Sequence, residues 1–474
     1  MTETILLVQP RVLPGRLEEN FLHLCNCIEQ ARVQQATTIL LPTAALSGSN
    51  LGDLNQQKDF QEDIAKYTQK LQAQAGKIRL VFSNDLACGA YRLRPKPVGI
   101  TYAGKNILPI PGGSSVTDIQ GNVVARAQFA VPDTLTLKFE QDKLISPVQI
   151  APQPRGIEKI HKLLMLATSE FFQLTGIKKI TVGLSGGIDS AVTAAFFTQL
   201  LGKENVLLLN LPGTYNSDTT QNLAAQTAAN LGCKYAVLPI TDGVNLTISQ
   251  IASLGLPVST LTLENIQARD RGSRLIAAAA AAFGGVFSAN SNKAELTIGY
   301  ATFYGDLAGA IAVLGDLWKH QVYDLGHYLN ETVYRQEIIP EAVFKISPSA
   351  ELNPQQTVGT GGDPIYYPYH DYLFKSFTEK HTPAELADWW KTKTLAQNLG
   401  CNNSVIEEYF QNNSQKFLND LEHWWKAFHG LAVAKRLQAP PVIILSSSPF
   451  EKPEPQTTPY FSTKYMEIKK SLLK

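Results

Sequence analysis

The sequence predicts an α/β protein with two domains, of which the second is built on a doubly wound parallel sheet. Apolar β-rich runs alternate with segments of helical periodicity in two separate parts of the chain, and this alternation is typical of sheets covered by helices. The length of 474 residues also exceeds the roughly 100–200 residues of a usual single domain. We therefore assign residues 1–148 and 156–474 to the two domains.

The first domain opens with three β-rich runs that are separated by two helical segments. In chain order these elements are residues 4–9, 18–35, 38–42, 60–75 and 77–82. From residue 89 to residue 143, short apolar runs and glycine-containing turns predict a β-meander. Residues 150–155 contain two prolines and predict a linker to the second domain.

In the second domain a helix is followed by strands and helices in strict alternation. The predicted elements are residues 156–174, 180–184, 190–201, 206–211, 217–231 and 235–240. Strands joined through helices lie parallel, and ligands bind such sheets beyond the carboxyl ends of the strands. We therefore look for a functional site directly after these strands.

The composition excludes several classes of protein. The chain carries 42 Lys and Arg against 41 Asp and Glu, a formal net charge of +1, which argues against partners such as nucleic acid or an anionic membrane surface. Five cysteines without a CxxC pair predict neither a disulfide framework nor a zinc site. Because we find no signal peptide and no apolar run long enough to span a membrane, we expect a cytoplasmic protein with small-molecule partners.

The strongest motif is the hexapeptide SGGIDS at residues 185–190, between a predicted strand and a predicted helix. Gly186 and Gly187 let the backbone turn tightly, so that successive N–H groups and the helix N-terminus face an anion. Ser185 and Ser190 add hydroxyl donors. A glycine turn with capping serines is the alternative interpretation, but the strand, the aspartate and the helix in this order favour a phosphate cradle.

Asp189 in the same loop implies a cation, because a carboxylate next to phosphates needs one between them. Mg²⁺ is the usual ion in such a place. The chain has neither a GxxxxGK[ST] loop nor a GxGxxG fingerprint, which argues against a P-loop NTPase and the usual dinucleotide site. In this context the loop resembles that of ATP pyrophosphatases, enzymes that cleave ATP between its α- and β-phosphates.

Segments further along the chain narrow this resemblance to the NAD synthetase family. They follow one another in the order known for that family and extend to Pro441, over half of the chain. The segments are LPGTYNSD (211–218), ENIQARDRG (264–272), NKAE (292–295), GYATFYGD (299–306), Lys319, PSAEL (348–352) and KRLQAPP (435–441). The resemblance implies a Rossmann-like ATP pyrophosphatase domain.

The resemblance also implies a reaction, the amidation of deamido-NAD by a carbon–nitrogen ligase. ATP would adenylate the nicotinate carboxylate with release of pyrophosphate, and ammonia would then displace AMP. ATP and Mg²⁺ are the implied cofactors, and a homodimer or a higher homo-oligomer is the family expectation. The implied ATP-binding residues are Ser185, Gly186, Gly187, Asp189, Ser190 and Ser349.

The remaining roles that the resemblance implies fall on charged and amide side chains. Asp189 and Glu295 would hold Mg²⁺. The implied catalytic residues are Asp189, Asp306 and Lys319, and the implied substrate-binding residues are Asn265, Gln267, Arg269, Arg271 and Asp306. Taken singly, Glu295 could equally be a first-turn helix carboxylate and Asp306 a turn residue.

The two arginines of the ENIQARDRG segment need separate treatment. Arg269 and Arg271 are two residues apart on a predicted helix, so they point in different directions and cannot both face one ligand. One of them could be a salt-bridge partner only. The chain also departs from the family at Asn290 and Ser291, where Thr-Gly is usual, and at Ala294, where serine is usual. Two alternatives to the amidation of deamido-NAD therefore remain. The acceptor could be nicotinate mononucleotide, or the protein could be a catalytically weak regulatory or structural homologue.

The first domain resembles the nitrilase-like glutaminase that precedes the synthetase in glutamine-dependent members of the family. The segment PTAALSG at residues 42–48 is similar to the nitrilase segment in which a glutamate acts as the general base. Thr43 stands at the position of that glutamate, and a hydroxyl cannot replace a carboxylate as proton acceptor. Cys88 is the only candidate nucleophile in its region and lacks the flanking residues of the family. We therefore predict a truncated, degenerate nitrilase-like domain and a synthetase that uses free ammonia.

Overall fold

The computed structural model describes residues 2–146, 149–354, 356, 362–447 and 457–474. The chain divides into two compact units, Met1–Gly176 and Ile177–Lys474, here called unit 1 and unit 2. Both are α/β structures, as predicted. None of the helices in the described part of the chain has the length and the apolar character needed to cross a membrane.

Unit 1 contains twelve strands and three α-helices among its described residues. The strands are β1 (Thr2–Gln9), β2 (Arg11–Val12), β3 (Thr38–Leu41), β4 (Arg79–Phe82), β5 (Leu86–Cys88), β6 (Tyr91–Arg94), β7 (Val98–Ala103), β8 (Asn106–Pro111), β9 (Ser115–Thr117), β10 (Val123–Arg126), β11 (Asp133–Glu140) and β12 (Lys143–Leu144). The helices are α1 (Leu17–Val33), α2 (Lys58–Ala75) and α3 (Gly156–Thr175), with a 3₁₀ turn at Gly52–Gln56.

The main sheet of unit 1 has the order β12-β11-β1-β3-β4, with β1 parallel to β3 and antiparallel to β11. Alternate residues of β1 point to opposite faces of the sheet. Leu6 and Val8 pack with the apolar faces of α1 and α2, whereas Ile5 and Leu7 pack with a second sheet of order β10-β9-β6-β5. Because both of its faces are covered, β1 is apolar along its centre rather than alternating.

Helix α3 belongs to unit 1 by its contacts, although we predicted that it would open the second domain. It packs on β7 and β8, and Glu170 accepts a charged hydrogen bond from Arg11 Nε at 2.7 Å. The predicted linker is also hydrogen-bonded to unit 1, because Ala151 N donates to Arg126 O at 3.0 Å. Helical periodicity shows which face of a helix is apolar but not which sheet that face covers.

Unit 2 contains four strands and fourteen α-helices among its described residues. The strands are β13 (Ile180–Gly183), β14 (Val206–Asn210), β15 (Lys234–Val237) and β16 (Val286–Phe287). The helices are α4 (Ile188–Leu201), α5 (Asp218–Leu231), α6 (Thr241–Ala252), α7 (Thr260–Arg269), α8 (Ala277–Phe283), α9 (Lys293–Ile298), α10 (Lys319–Tyr328), α11 (Glu341–Lys345), α12 (Tyr367–Thr378), α13 (Pro383–Lys391), α14 (Leu395–Leu399), α15 (Asn403–Phe410), α16 (Ser414–Gln438) and α17 (Thr463–Leu472). Lys203–Asn205 form a 3₁₀ turn, and Asp270–Ile276 and Leu329–Tyr334 are π-helical.

The sheet of unit 2 is parallel throughout and has the order β15-β14-β13-β16. The chain builds outward from β13 through β14 to β15, and then returns to place β16 on the other side of β13. This reversal creates a switch point between β13 and β16, where the following loops separate and leave a crevice. The loop at residues 185–187 follows β13, and the segment at residues 288–292 follows β16.

Candidate active site

The SGGIDS loop takes its shape from hydrogen bonds among its own residues. Ser185 N donates to Ser190 Oγ at 3.1 Å, and Ser190 Oγ donates to Gly187 O at 2.9 Å. Gly186 has a φ of +92°, and a Cβ atom there would lie 2.0 Å from Thr220 O, so only glycine fits. The loop leads directly into the N-terminus of α4, where unpaired backbone N–H groups favour an anion.

A cavity of about 360 Å³ opens at this loop, at the switch point of the sheet. Its wall includes the residues that follow β13 and β16 and parts of α9, α10 and the 343–352 segment. The predicted site residues that line it are Ser185, Gly187, Asp189, Ser190, Arg271, Glu295, Asp306, Lys319 and Ser349. The structure therefore brings together most residues that the sequence analysis selected from distant segments.

Two carboxylates and a lysine form the charged centre of the cavity. Lys319 Nζ makes a close ion pair with Asp189 Oδ2. Burial alone would lower the pKa of Lys319, but the carboxylates of Asp189 and Glu295 outweigh it and raise that pKa. Lys319 is therefore held as a cation next to the loop.

Glu295 lies on α9, and the pKa of its carboxyl group is far above the usual value for glutamate. Desolvation, followed by the negative charge of Asp189, raises its pKa from 4.5 to about 8, against the opposing charge of Lys319. Tyr367 OH donates to Glu295 Oε1 at 3.2 Å. Desolvation and the charge of Asp189 thus disfavour the ionised form of Glu295, and a cation bound beside the two carboxylates would restore that form.

The donor set fits Mg²⁺ as a substrate-bridging ion. Asp189 and Glu295 supply hard oxygen donors at the cavity wall. Within the described residues no cluster of three or more His, Cys, Asp or Glu side chains could hold a metal. Mg²⁺ commonly binds through one or two carboxylates together with water and phosphate oxygens rather than in an all-protein cage, and the two carboxylates present match that pattern.

A third carboxylate, Asp363, was missed by the sequence analysis. It lines the same cavity, where Tyr300 OH donates to its Oδ1 at 3.2 Å and the Tyr367 hydroxyl oxygen lies 3.4 Å from its Oδ2. Desolvation raises its pKa, against the charge of Lys319. Its surrounding sequence is rich in glycine and carries no periodic signal, so a single sequence gave no reason to select it.

Asp306 lies in the cavity wall near the start of the segment that follows α9. Thr302 N donates to its Oδ1 at 2.5 Å. Desolvation by the surrounding protein raises the pKa of Asp306, and this backbone hydrogen bond and the charges of Lys435 and Arg271 oppose the rise. Its carboxyl group can therefore accept a proton more readily than an ordinary aspartate.

The two arginines that we considered together have different surroundings. Arg271 lines the cavity, where its Nε donates to Leu211 O at 2.9 Å and its Nη2 donates to Asn216 Oδ1 at 3.0 Å. Desolvation lowers its pKa to about 10, with Asp306 opposing. Arg269 is exposed, and its Nε donates to Phe303 O at 3.1 Å. Of the two arginines, Arg271 lines the cavity and Arg269 does not, in keeping with their different directions on the helix.

Three of the predicted substrate-binding residues are not among the described residues that line the cavity. Arg269 is one of them. Asn265 Oδ1 accepts a hydrogen bond from Thr302 Oγ1 at 2.9 Å, and buried Gln267 donates to Leu352 O at 2.8 Å. In this arrangement the two amides support the cavity wall, because their polar atoms pair with neighbouring segments. Their roles toward a substrate remain predictions.

Glu351 is a buried residue of the PSAEL segment to which the sequence analysis gave no role. It adopts a positive φ of +47°. Its carboxylate accepts hydrogen bonds from Thr220 Oγ1 at 2.8 Å and Asn216 Nδ2 at 3.0 Å. Glu351 therefore joins the start of α5 to the segment that carries Ser349, whose hydroxyl donates to Gln356 O.

Unit 1 contains no comparable charged centre at Thr43. This residue is exposed after β3, and its backbone N–H donates to Asn84 Oδ1 at 3.0 Å. Burial, followed by the negative charges of Glu3 and Asp142, raises the pKa of Cys88, so the thiol form is favoured over the nucleophilic thiolate. Desolvation is also the main cause of a raised pKa at the other cysteines, Cys25, Cys27, Cys233 and Cys401.

The fold and the site together define a class, a doubly wound α/β protein whose charged cavity opens at the switch point of its parallel sheet. Comparison with known families is consistent with this class, since residues 160–399 match the NAD synthase family. That match covers half of the chain. The chain belongs to the NAD synthase family, and the resemblance inferred from its motifs is confirmed.

Individual relatives give a finer comparison. The chain is 35% identical to a glutamine-dependent NAD(+) synthetase of Synechocystis sp. over 292 residues, which cover 60% of this chain and 50% of that protein. The chain thus spans about half the length of the curated relatives it matches. Two solved structures share its fold. A glutamine-dependent NAD(+) synthetase from Cytophaga hutchinsonii matches with a TM-score of 0.71 and 13% identity over 100% of both chains. A glutamine-dependent NAD+ synthetase from Acinetobacter baumannii in complex with ADP matches with a TM-score of 0.62 and 20% identity over 97% of this chain and 100% of that one.

These comparisons confirm the α/β fold class over the whole chain and correct the predicted nitrogen source. We predicted a synthetase that uses free ammonia, on the basis of Thr43 and the short first domain. That prediction is wrong, because curated relatives that are 35%, 32% and 33% identical to the matched part of this chain are glutamine-dependent NAD(+) synthetases. Thr43 and the short first domain proved too weak a basis for assigning the nitrogen donor.

Proposed function

We propose that this protein is a ligase that amidates deamido-NAD to NAD at the expense of ATP, with glutamine as the source of nitrogen. The observation that carries the proposal is the meeting of Asp189, Glu295 and Lys319 with the SGGIDS loop in one cavity. These groups come from three separate segments of the chain. Their convergence at the carboxyl edge of a parallel sheet is the arrangement expected for a nucleotide site.

The ATP half of the reaction follows from the charges around the loop. Negative charge accumulates on the departing pyrophosphate, and preorganised donors that face this charge lower the barrier. The backbone N–H groups at the start of α4 and the cationic Lys319 would supply such donors. Mg²⁺, held by Asp189 and Glu295, would neutralise phosphate charge. The complex of the Acinetobacter baumannii enzyme with ADP supports nucleotide binding in this fold.

The acceptor half would involve Asp306 and Arg271 at another part of the cavity wall. The attacking nitrogen must lose a proton as the new carbon–nitrogen bond forms. The Asp306 carboxylate, whose pKa is raised by desolvation, would hold that proton. Arg271 is desolvated and already donates to two groups of the wall, so it would position the acceptor through the loop at residues 211–216 as well as by its charge.

The nitrogen donor is proposed from relatives such as those of Synechocystis sp., Thermotoga maritima and Acinetobacter baylyi, which are named as glutamine-dependent NAD(+) synthetases. Unit 1 adds a constraint on how the amide is hydrolysed. A glutaminase of the nitrilase type needs a thiolate with a base next to it. The raised pKa of Cys88 and the neutral Thr43 do not supply this pair, so we propose that Cys88 is not the nucleophile.

The proposal can be tested with the full chain in one assay. The protein is incubated with ATP, Mg²⁺ and amide-¹⁵N-glutamine, with either deamido-NAD or nicotinate mononucleotide, and AMP and the labelled product are measured. We expect AMP and ¹⁵N-labelled NAD in equal amounts with deamido-NAD. Amidation of nicotinate mononucleotide alone would overturn the assigned acceptor. Absence of AMP with both acceptors, also after ammonium is added in place of glutamine, would overturn the ligase assignment. Unlabelled NAD formed in the presence of the label would overturn glutamine as the donor.

A further inference from the structure

Asn292 is a fully buried residue at the N-terminus of α9, between the two carboxylates of the proposed metal site. It is the N-cap residue of that helix, and it forms a capping box with Glu295. Its side-chain Oδ1 accepts from Glu295 N at 3.2 Å, and its backbone N–H donates to Glu295 Oε2 at 3.2 Å. These contacts alone would make Asn292 a helix cap.

The amide nitrogen of Asn292 makes two further contacts that a helix cap does not require. Nδ2 donates to Asp189 Oδ1 at 3.1 Å and to Glu295 Oε1 at 2.8 Å. A primary amide carries two N–H donors, so both are used, one on each carboxylate. One buried amide group therefore connects two acidic side chains that come from α4 and α9.

The backbone around Asn292 is itself fixed, so the amide cannot easily move away. Lys293 N donates to Leu317 O at 2.8 Å, which ties α9 to the segment leading to Lys319. Lys293 Nζ forms a buried ion pair with Asp316 at 2.8 Å and lies 4.8 Å from the centre of the Trp318 ring. The position of the amide is thus set by groups outside the cavity.

We propose that Asn292 is a positioning residue that holds Asp189 and Glu295 in the arrangement in which both bind one divalent cation with the nucleotide. This inference rests on the proposed function in taking the ligands to be Mg²⁺ and ATP. Two nearby carboxylates repel each other, and a neutral donor that pairs with an oxygen of each one stabilises both in one arrangement. The second oxygen of Asp189 pairs with Lys319 and that of Glu295 accepts from Asn292 N, so a bound cation would share these oxygens with those donors. Groups that orient metal ligands in this way commonly change metal affinity by about 10–100-fold when removed.

The experiment separates the bridging amide from the helix cap. Asn292→Ser keeps an N-cap hydroxyl but has no amide to bridge the carboxylates, whereas Asn292→Ala removes both functions. Thr382→Ala is the matched control, because Thr382 is the N-cap of another capping box, on α13, that does not line the cavity. The probe is α,β-methylene-ATP, an analogue that cannot be cleaved between these phosphates. Its binding to each full-length protein is measured by calorimetry over a series of Mg²⁺ concentrations, together with the melting temperature in EDTA.

We expect Asn292→Ser to need about tenfold more Mg²⁺ for half-maximal nucleotide binding, and to lose less of the melting temperature than Asn292→Ala because its hydroxyl still caps α9. Asn292→Ala should show the same Mg²⁺ defect with a lower melting temperature. Thr382→Ala should show a lower melting temperature and an unchanged Mg²⁺ requirement.

The inference would be overturned if Asn292→Ser kept the wild-type Mg²⁺ requirement, or if Thr382→Ala changed it as much. These readouts do not depend on turnover. A wild-type protein that binds Mg²⁺ and the analogue but forms no NAD would contradict the proposed function and leave the role of Asn292 standing.

Discussion

The two units use similar architecture and differ in what they place at the edge of the main sheet. In unit 2 the loop after β13 meets buried or partly buried charges from α4, α9 and α10, and several of their pKa values are shifted. In unit 1 the residue after Pro42 is the exposed, neutral Thr43, with an amide as its partner. The comparison shows that an α/β fold supplies positions for a site, and that chemistry depends on which side chains occupy them.

The largest expected effect concerns the way the units hold ion pairs. In unit 2, Lys293 and Asp316 pair with side-chain exposures of 1% and 0%, whereas in unit 1, Arg92 and Asp85 pair with exposures of 53% and 35%. Breaking a buried pair leaves an uncompensated charge, so Asp316→Asn should lower the free energy of unfolding by about 3–5 kcal/mol. Asp85→Asn should change it little, because water solvates the remaining charge. Urea unfolding of both variants tests this, and equal effects would contradict it.

The next largest effect is expected on the rate of AMP formation when Asp189 of the SGGIDS loop is replaced. Asp189→Asn keeps the size of the side chain but removes the negative charge that pairs with Lys319 and would help to hold Mg²⁺. We expect the rate of AMP formation to fall by about 10²–10³-fold, as for the loss of other groups that stabilise transition-state charge. Asp85→Asn in unit 1 is the matched carboxylate-to-amide control and should form AMP at the wild-type rate. Near-normal activity of Asp189→Asn would remove the proposed role.

A smaller effect separates the two arginines of unit 2. Arg271→Gln leaves Leu211 O without its donor at the cavity wall, whereas Asn216 Oδ1 still accepts from Gly213 N. An unpaired buried polar group costs about 1–3 kcal/mol. Arg269→Gln removes a contact from an exposed side chain and should hardly change stability. The free energy of unfolding and the KM for deamido-NAD can be measured for both variants. A larger loss in Arg269→Gln would reverse the assignment of the two residues.

The sequence was sufficient to predict the parts of this site that depend on a local signal. The glycine turn, the strand before it and the helix after it are consecutive, so residues 185–190 could be placed without knowledge of distant contacts. Asp363 could not be found in this way, because its cavity position depends on tyrosines at residues 300 and 367 rather than on its own neighbours. Asn292 carried a readable signal, an asparagine three residues before a glutamate, but this pattern predicts only the helix cap.

Some features of the fold also depended on contacts that periodicity does not contain. The π-helical turn at Asp270–Ile276 interrupts the helical register between α7 and α8, and such turns often occur at functional sites. Gly272 within it lies so close to Gly305 that a Cβ atom would be 2.2 Å from Gly305 O. The sequence showed a glycine in a helical segment, and the close approach that requires it became visible only in the folded chain.

The smallest expected effect is that of replacing Cys88 in unit 1, the unit without a charged centre at Thr43. Cys88 is a partly buried thiol whose pKa is raised by desolvation and by the charges of Glu3 and Asp142, so it should contribute no nucleophile. Cys88→Ala should therefore keep the rate of glutamine-driven NAD formation within about twofold of the wild type, since this substitution in a partly buried site removes little packing. Cys25→Ala, in which another thiol of raised pKa is removed from α1, is the matched control. A loss of glutamine-driven activity in the Cys88 variant alone would place glutamine hydrolysis at β5, and unit 1 would then hold a working site despite the neutral Thr43.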